Sequence, residues 1–174
     1  MEYRRYYQSG GTYFFTVVTE HRQPLLIDHI DQLRAAFWHV MKRYPFIIEG
    51  IVILPDHLHT LWHLPDGDSN FSLRWMLIKR KFSAGFKTEL VNLSKQAKRE
   101  KEIWQRRFWE HCIRNEEDWR RHMDYIHYNP VKHGYCSTPA EWQYSSFRRS
   151  VKQGLYTADW GNGLIPEITS LNLE

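Results

Sequence analysis

The sequence predicts an α+β fold built on one antiparallel sheet, and three observations along its 174 residues carry that expectation. Short runs rich in β-branched and aromatic residues recur, stripes of apolar residues at helical spacing lie between them, and Pro or Gly marks the breaks. Taken in order, the segments run β-α-β-β-α-β and then one further helix. That is the split-βαβ, ferredoxin-like arrangement, an antiparallel sheet with helices packed on one face, with an extra C-terminal helix added. The length suits one well-buried core and is short for two, so residues 1–174 are expected to form a single domain.

Residues 1–11 form a basic leader that ends at Gly10-Gly11. Thr12 to Thr19 (TYFFTVVT) is the first strand, dense in β-branched and aromatic side chains. From Asp28 to Tyr44, apolar residues at Ile30, Leu33, Phe37, Val40 and Met41 trace one face of a helix that Pro45 stops. Phe46 to Leu54 and His57 to Leu64 are two strands joined tightly at Pro55-Asp56. A second helix, with a basic face, is expected from Phe71 to about Leu93, followed by a charged connection from Ser94 to Glu102. Arg107 to Arg114 alternates as a fourth strand. Asn115 then caps a helix whose first turn holds Glu116, Glu117 and Asp118, where the helix dipole favours acids. Pro130 disfavours helical geometry in the residue before it, so this helix is expected to end near Asn129. From about residue 154 to 174 the tail is irregular.

Composition narrows the partner. Aromatics reach 16%, with eight Trp, more than a core of this size needs, so some are expected on a surface that grips something flat. The formal charge is +4, and basic residues cluster at Arg4-Arg5, Lys79-Arg80-Lys81, Lys98-Arg99-Lys101, Arg106-Arg107, Arg120-Arg121 and Arg148-Arg149. Such clusters can be solvated helix faces. Interleaved with aromatics, they suit a partner offering both phosphates and unpaired bases, hence single-stranded nucleic acid. Cys112 and Cys136 form no CxxC pair, which fits a reducing compartment. No secretory signal and no apolar run of membrane-spanning length is found, so the expected location is the cytoplasm and no membrane is involved.

His57-Leu58-His59 lies in a predicted strand, where side chains alternate, so both imidazoles share a face that Leu58 does not. A divalent cation would reconcile two adjacent imidazoles and leave positions open for phosphate oxygens. His63, on the same face, is further away and structural or peripheral. Tyr125 and Asn129, four residues apart, share a helix face about 6 Å apart along the axis. Two readings of that spacing stand side by side. In one, Tyr125 packs and Asn129 ends the helix; in the other, Asn129 offers an oxygen to the cation and Tyr125 lies beside a bound phosphate.

Several motifs bear on the choice. Ile53-Leu54-Pro55-Asp56 before His57-Leu58-His59 resembles the LPxHxH pattern of the IS200-like, HUH-type tyrosine transposases. The stretch from Trp104-Gln105 to Phe108-Trp109-Glu110-His111, then Asp124-Tyr125-Ile126 and Asn129-Pro130-Val131-Lys132-His133-Gly134, looks like one branch of them, the REP-associated tyrosine transposases. Tyr3 to Tyr7, Gly10 to Thr16 and Trp142 to Phe147 match the same branch, so the resemblance spans roughly residues 3 to 160. It implies a nucleophile at Tyr125 and metal ligands at His57 and His59. Asn129 takes the place where the wider superfamily often uses Gln, one methylene longer. Tyr128 is the rival nucleophile, but it lies about 100° around the helix from Asn129, against about 40° for Tyr125.

The implied reaction is attack by Tyr125 on a DNA phosphodiester, giving a 5′-phosphotyrosine and a free 3′-OH, followed by rejoining through a DNA 3′-OH. A free tyrosine is only about one part in a thousand phenolate at pH 7, so a divalent metal, Mg²⁺ or Mn²⁺, is expected to assist. The resemblance also implies a partner: single-stranded DNA next to a palindromic hairpin. Lys79, Arg80, Lys81, Arg106 and Arg107 are the candidates for backbone contacts, and Arg4, Arg5, Tyr6 and Tyr7 for reading the flank. Monomer and homodimer both remain open. Two alternatives are kept: a non-catalytic nucleic-acid-binding module of the same fold, and a metal-dependent hydrolytic nuclease.

Overall fold

A computed structural model describes residues 7–86, 103–171 and 173. The chain runs β1 (Thr12–Val18), α1 (Ile30–Arg43), β2 (Ile47–Ile53), β3 (His57–His63), α2 (Phe71–Ser83), β4 (Trp109–Cys112), α3 (Glu116–Lys132), α4 (Phe147–Lys152) and α5 (Pro166–Thr169). The four strands form one antiparallel sheet in the order β2-β3-β1-β4. This is the expected α+β, split-βαβ architecture.

Alternation along β1 divides the molecule into two cores. Tyr13, Phe15 and Val17 join Leu58 and Trp62 of β3 beneath α1 and α2, with Leu33, Phe37, Trp75, Ile78 and Phe82 supplied by the helices. Phe14 points the other way and joins Val52, Leu61, Met123, Tyr125 and Ile126, so α3 closes the opposite face. The two crossover helices therefore share one face, as expected, and the additional helix has the other to itself. Arg74, fully buried within α2, is neutralised by Asp68 (Nη2–Oδ2 2.6 Å) and also donates to the carbonyls of Tyr44 and Pro45.

Three boundaries differ from the sequence reading. β4 covers only Trp109–Cys112, half of the expected strand. α2 ends at Ser83, residues 84–86 form a turn, and the rest of the expected helix and all of the charged connection, residues 87–102, lie outside the described residues. α3 runs through Pro130 to Lys132 instead of stopping at Asn129. The proline lies two residues before the last helical residue, where it gives up one N–H bond to the preceding turn without ending the helix, and the true stop is Gly134 (φ 73°). There the Gly134 N–H donates to Val131 O and the Tyr135 N–H to Pro130 O, both at 2.9 Å, the reciprocal pair of a Schellman cap. Among the described residues no helix is long and apolar enough to cross a membrane.

Candidate active site

Strand register brings the two histidines together. In the β1–β3 ladder, Thr16 faces His59 and Val18 faces His57. Both imidazoles lie on the α3 side, buried, with ring centroids 5.0 Å apart, and Leu58 between them points into the other core.

Their hydrogen bonds fix their tautomers. The Thr16 hydroxyl donates to Leu173 O (2.6 Å), so at its 2.9 Å contact with His59 Nδ1 the ring nitrogen must be the donor. His59 thus carries its lone pair on Nε2, a buried atom with no hydrogen-bond partner. His57 Nδ1 lies 2.7 Å from Asp56 Oδ1, an acceptor, so in the neutral ring its lone pair also falls on Nε2. Burial pushes the His59 pKa well down, and the nearby charges of His57, His133, Lys132 and Arg22 push the same way, which keeps the ring neutral. Asp56 is held at about 2: burial raises it, but His57 and Arg22 overcome that. Arg22 (φ 51°) and His21 (φ 54°) occupy left-handed backbone that such residues seldom adopt, and the turn delivers the Arg22 guanidinium to Asp56 Oδ2 at 3.1 Å.

From above, α3 lowers its own residues onto the pair. Asn115 Oδ1 accepts from Asp118 N (2.8 Å), the expected cap, and the acidic first turn follows it. Tyr125, fully buried, packs its ring against His59 at 5.1 Å between centroids. One turn on, Asn129 is equally buried, and neither its Oδ1 nor its Nδ2 has a hydrogen-bond partner. Two turns from Tyr125, Lys132 Nζ reaches the Tyr125 oxygen at 3.4 Å and Leu171 O at 2.5 Å. The C-terminal tail completes the enclosure, with Ile168, Leu171 and Leu173 in the same apolar cluster as Tyr125. Tyr128 points elsewhere and donates to Gly163 O at 2.8 Å.

A second polar group lies further up α3. His111, Asp118 and His122 place potential ligand atoms within 4.8 Å of one another. Asp118 Oδ2 is already occupied by His111 Nε2 (2.8 Å), Arg114 N (3.0 Å) and Arg114 Nε (3.1 Å), and His122 Nδ1 donates to Asp118 O (2.7 Å). Burial raises the Asp118 pKa, but the bonds from Arg114 and His111 overcome it and hold the carboxyl well below the usual range. This group is a hydrogen-bond hub joining β4 to α3, within which the buried Nε2 of His122 has no hydrogen-bond partner. At the two-histidine site, His59 Nε2 and Asn129 Oδ1 are likewise buried acceptors without a donor.

A model of the family described as IS200-like transposases matches residues 7–129, which include both histidines, Tyr125 and Asn129. The chain is 48% identical over 160 residues to a REP-associated tyrosine transposase of Escherichia coli K12, covering 91% of this chain and 90% of that protein. A relative from Haemophilus influenzae that bears the same family name is 46% identical over 162 residues, covering 91% and 92%. This chain belongs to the REP-associated tyrosine transposases. A solved structure of such a transposase bound to a REP hairpin superposes with a TM-score of 0.80 at 44% identity, covering 95% of each chain.

The remaining sequence-predicted residues of the transposase fall in three places. Arg4, Arg5 and Tyr6 lie outside the described residues, and Tyr7 is exposed, its ring stacked on Phe71 at 5.1 Å. Arg80 and Lys81 are exposed at the end of α2, while Lys79 Nζ donates to Gln105 O (2.8 Å). Arg106 and Arg107 are exposed on the segment where Gln105 N bonds Val18 O, beside the end of β1 that pairs with His57. His63 bonds Thr12 Oγ1 at 2.9 Å, a structural contact. Sequence reasoning assigned no role to Asp56, Thr16, Lys132 or His133. The i, i+7 spacing of Tyr125 and Lys132, two helical turns, was the available signal for one of them.

Proposed function

We propose that the chain is a metal-assisted strand transferase of the cytoplasm. It cuts single-stranded DNA beside a palindromic REP hairpin, with Tyr125 as nucleophile. The carrying observation is the contact of the Tyr125 ring with His59, whose Nε2 lone pair, like the Asn129 amide, has no protein donor to meet. Conserved naming among the relatives and the hairpin-bound neighbour support the substrate class.

His57, His59 and Asn129 are the residues that would hold a divalent ion: two imidazoles oriented by Asp56 and Thr16, and one carboxamide oxygen. Mixed nitrogen and oxygen donors suit Mg²⁺ or Mn²⁺, with imidazole favouring Mn²⁺. When bound, the ion would polarise the phosphate and stabilise the departing oxygen. Every other task belongs to the chain. The Tyr125 oxygen attacks phosphorus, the bond to the 3′-oxygen breaks, the phenol proton leaves, and the 3′-oxygen takes up a proton. Lys132 Nζ donates to the attacking oxygen at 3.4 Å and so orients it and can stabilise charge that develops there during transfer. Rejoining runs the same exchange backwards from a DNA 3′-OH, so no nucleotide triphosphate is needed. Because Tyr125 is fully buried under Ile168 and Leu171, DNA reaches it only when the tail moves aside.

The test is a denaturing gel of labelled hairpin DNA with an unpaired flank, incubated with protein and Mn²⁺. The wild type should form a covalent adduct; Tyr125→Phe should form none while binding the hairpin as before. An undiminished adduct in Tyr125→Phe would shift the assignment to Tyr128, and a protein-free 5′ end throughout would mean a hydrolytic nuclease.

A further inference from the structure

An aromatic track leaves the two-histidine site along the surface. The His133 ring lies 5.3 Å from His57, Tyr135 follows 6.3 Å from His133, Trp142 is 5.4 Å from Tyr135, and Tyr144 is 5.6 Å from Trp142. His133 and Tyr135 are exposed, the latter at 46%, while Trp142 and Tyr144 are half-buried against the two cores, so the track runs from core packing out to an exposed aromatic face at Tyr135. It leads into a cleft of about 440 Å³ whose lining includes Tyr135, Trp142, Tyr144, Arg148 and the acidic Glu141.

The fold holds this surface rigidly. The Schellman cap at Gly134 sets where the chain leaves α3 and so aims Tyr135. Trp142 Nε1 donates to Ile53 O (3.0 Å), and Glu141 Oε2 accepts from Ser137 N (2.8 Å), which fastens the loop in between. Tyr135 and Trp142 are tilted only 35° from parallel, and Arg148 is exposed at the rim with its Nε on Ala140 O. Flat faces at a cleft mouth with a guanidinium beside them match an unpaired nucleobase and its phosphate. A duplex hides its base faces and could not use them.

We infer that this cleft seats a nucleobase of the unpaired strand next to the scissile phosphate, stacked on Tyr135, with Arg148 near its backbone. The inference rests on the single-stranded DNA reading given above and adds to it the path of the flank and the residue that grips it. It also gives a use to Tyr135, an exposed aromatic that belongs to neither core.

The experiment measures binding by fluorescence anisotropy with three DNAs: a flanked hairpin, the same stem without a flank, and a set of flanked hairpins with one abasic site moved along the flank. Tyr135→Ala should weaken the flanked hairpin about tenfold, the scale of one lost stacked base, and Tyr135→Phe should stay within about twofold. The flankless stem should bind all proteins alike, and one abasic position should erase the difference between wild type and Tyr135→Ala. Equal binding of the flanked hairpin by Tyr135→Ala and wild type would overturn the inference. So would a loss that persists on the flankless stem, or one that no abasic position removes. If the wild type forms its Tyr125 adduct in those cases, the proposed function survives and only the cleft assignment falls. A wild type that prefers the flankless stem would overturn both.

Discussion

The two faces of the sheet are built from the same strands and have opposite characters. Beneath α1 and α2 the residues interlock as a dry aromatic core, with Trp62 stacked on Trp75 at 4.3 Å and Phe15, Phe37 and Phe46 around them. Beneath α3, Phe14 is surrounded by His59, His122, Trp109 and Tyr125. Both faces leave some buried polar atoms without partners, but of different kinds. On the dry face they include the indole N–H groups of Trp62 and Trp75, which can only donate and can rest against π faces. On the α3 face they include His59 Nε2 and Asn129 Oδ1, acceptors that call for something positive. One face is a dry core, the other carries the proposed chemistry, and a strand period of two lets a single β3 serve both.

The comparison breaks most visibly at Trp62. Trp62→Ala should lower unfolding free energy by about 3–5 kcal/mol in urea denaturation, through lost burial and the cavity left behind. A small change would mean that the dry face is not the stability reserve. The next effect depends on pH. His127, fully buried beneath α4, must donate through Nε2 to Ser146 Oγ, since that hydroxyl gives its own proton to Ile51 O; burial, then Arg149, pushes its pKa down to about 3. The unfolded chain protonates near 6.5 and the folded one near 3, so the contribution is complete above pH 6.5 and is lost as pH falls toward 3. Stability should fall by up to about 1.4 kcal/mol per pH unit in that window, and His127→Gln should flatten the slope in melting curves. The smallest expected effect is at the site. Asn129→Leu removes two unsatisfied buried atoms at similar volume, so stability should stay level or rise by about 1 kcal/mol while adduct formation disappears. A loss as large as that of Trp62→Ala would show that the amide serves packing.

Much of this was legible because it depends on local periodicity. The shared face of His57 and His59 follows from strand alternation, the cap at Asn115 from its side chain and the acids after it, and the Tyr125–Asn129 pairing from helical spacing. What escaped depends on distant segments. Pro130 lies inside α3 because the Gly134 cap stabilises the last turn beyond it, which a rule about the residue before proline cannot weigh. Lys132 acquires meaning only when α3 lies on β3, and the irregular tail gave no pattern to show that Ile168 and Leu171 join the apolar cluster of Tyr125. The surplus of aromatics hinted at a gripping surface without saying which residues formed it.

The gap in β2 at Gly50 has a consequence of its own. Strand pairing slips between Ile48 and Gly50, and a methyl group at Gly50 would overlap Met123 Sδ and touch Ile126 Cδ1 at 3.4 Å. The missing side chain thus works as a calliper that sets how closely α3 approaches the sheet, and with it the gap between Tyr125 and His59. A misplacement of about 1 Å can slow a reaction by about a hundredfold. The spacing of the proposed site therefore depends on a residue with no functional group at all.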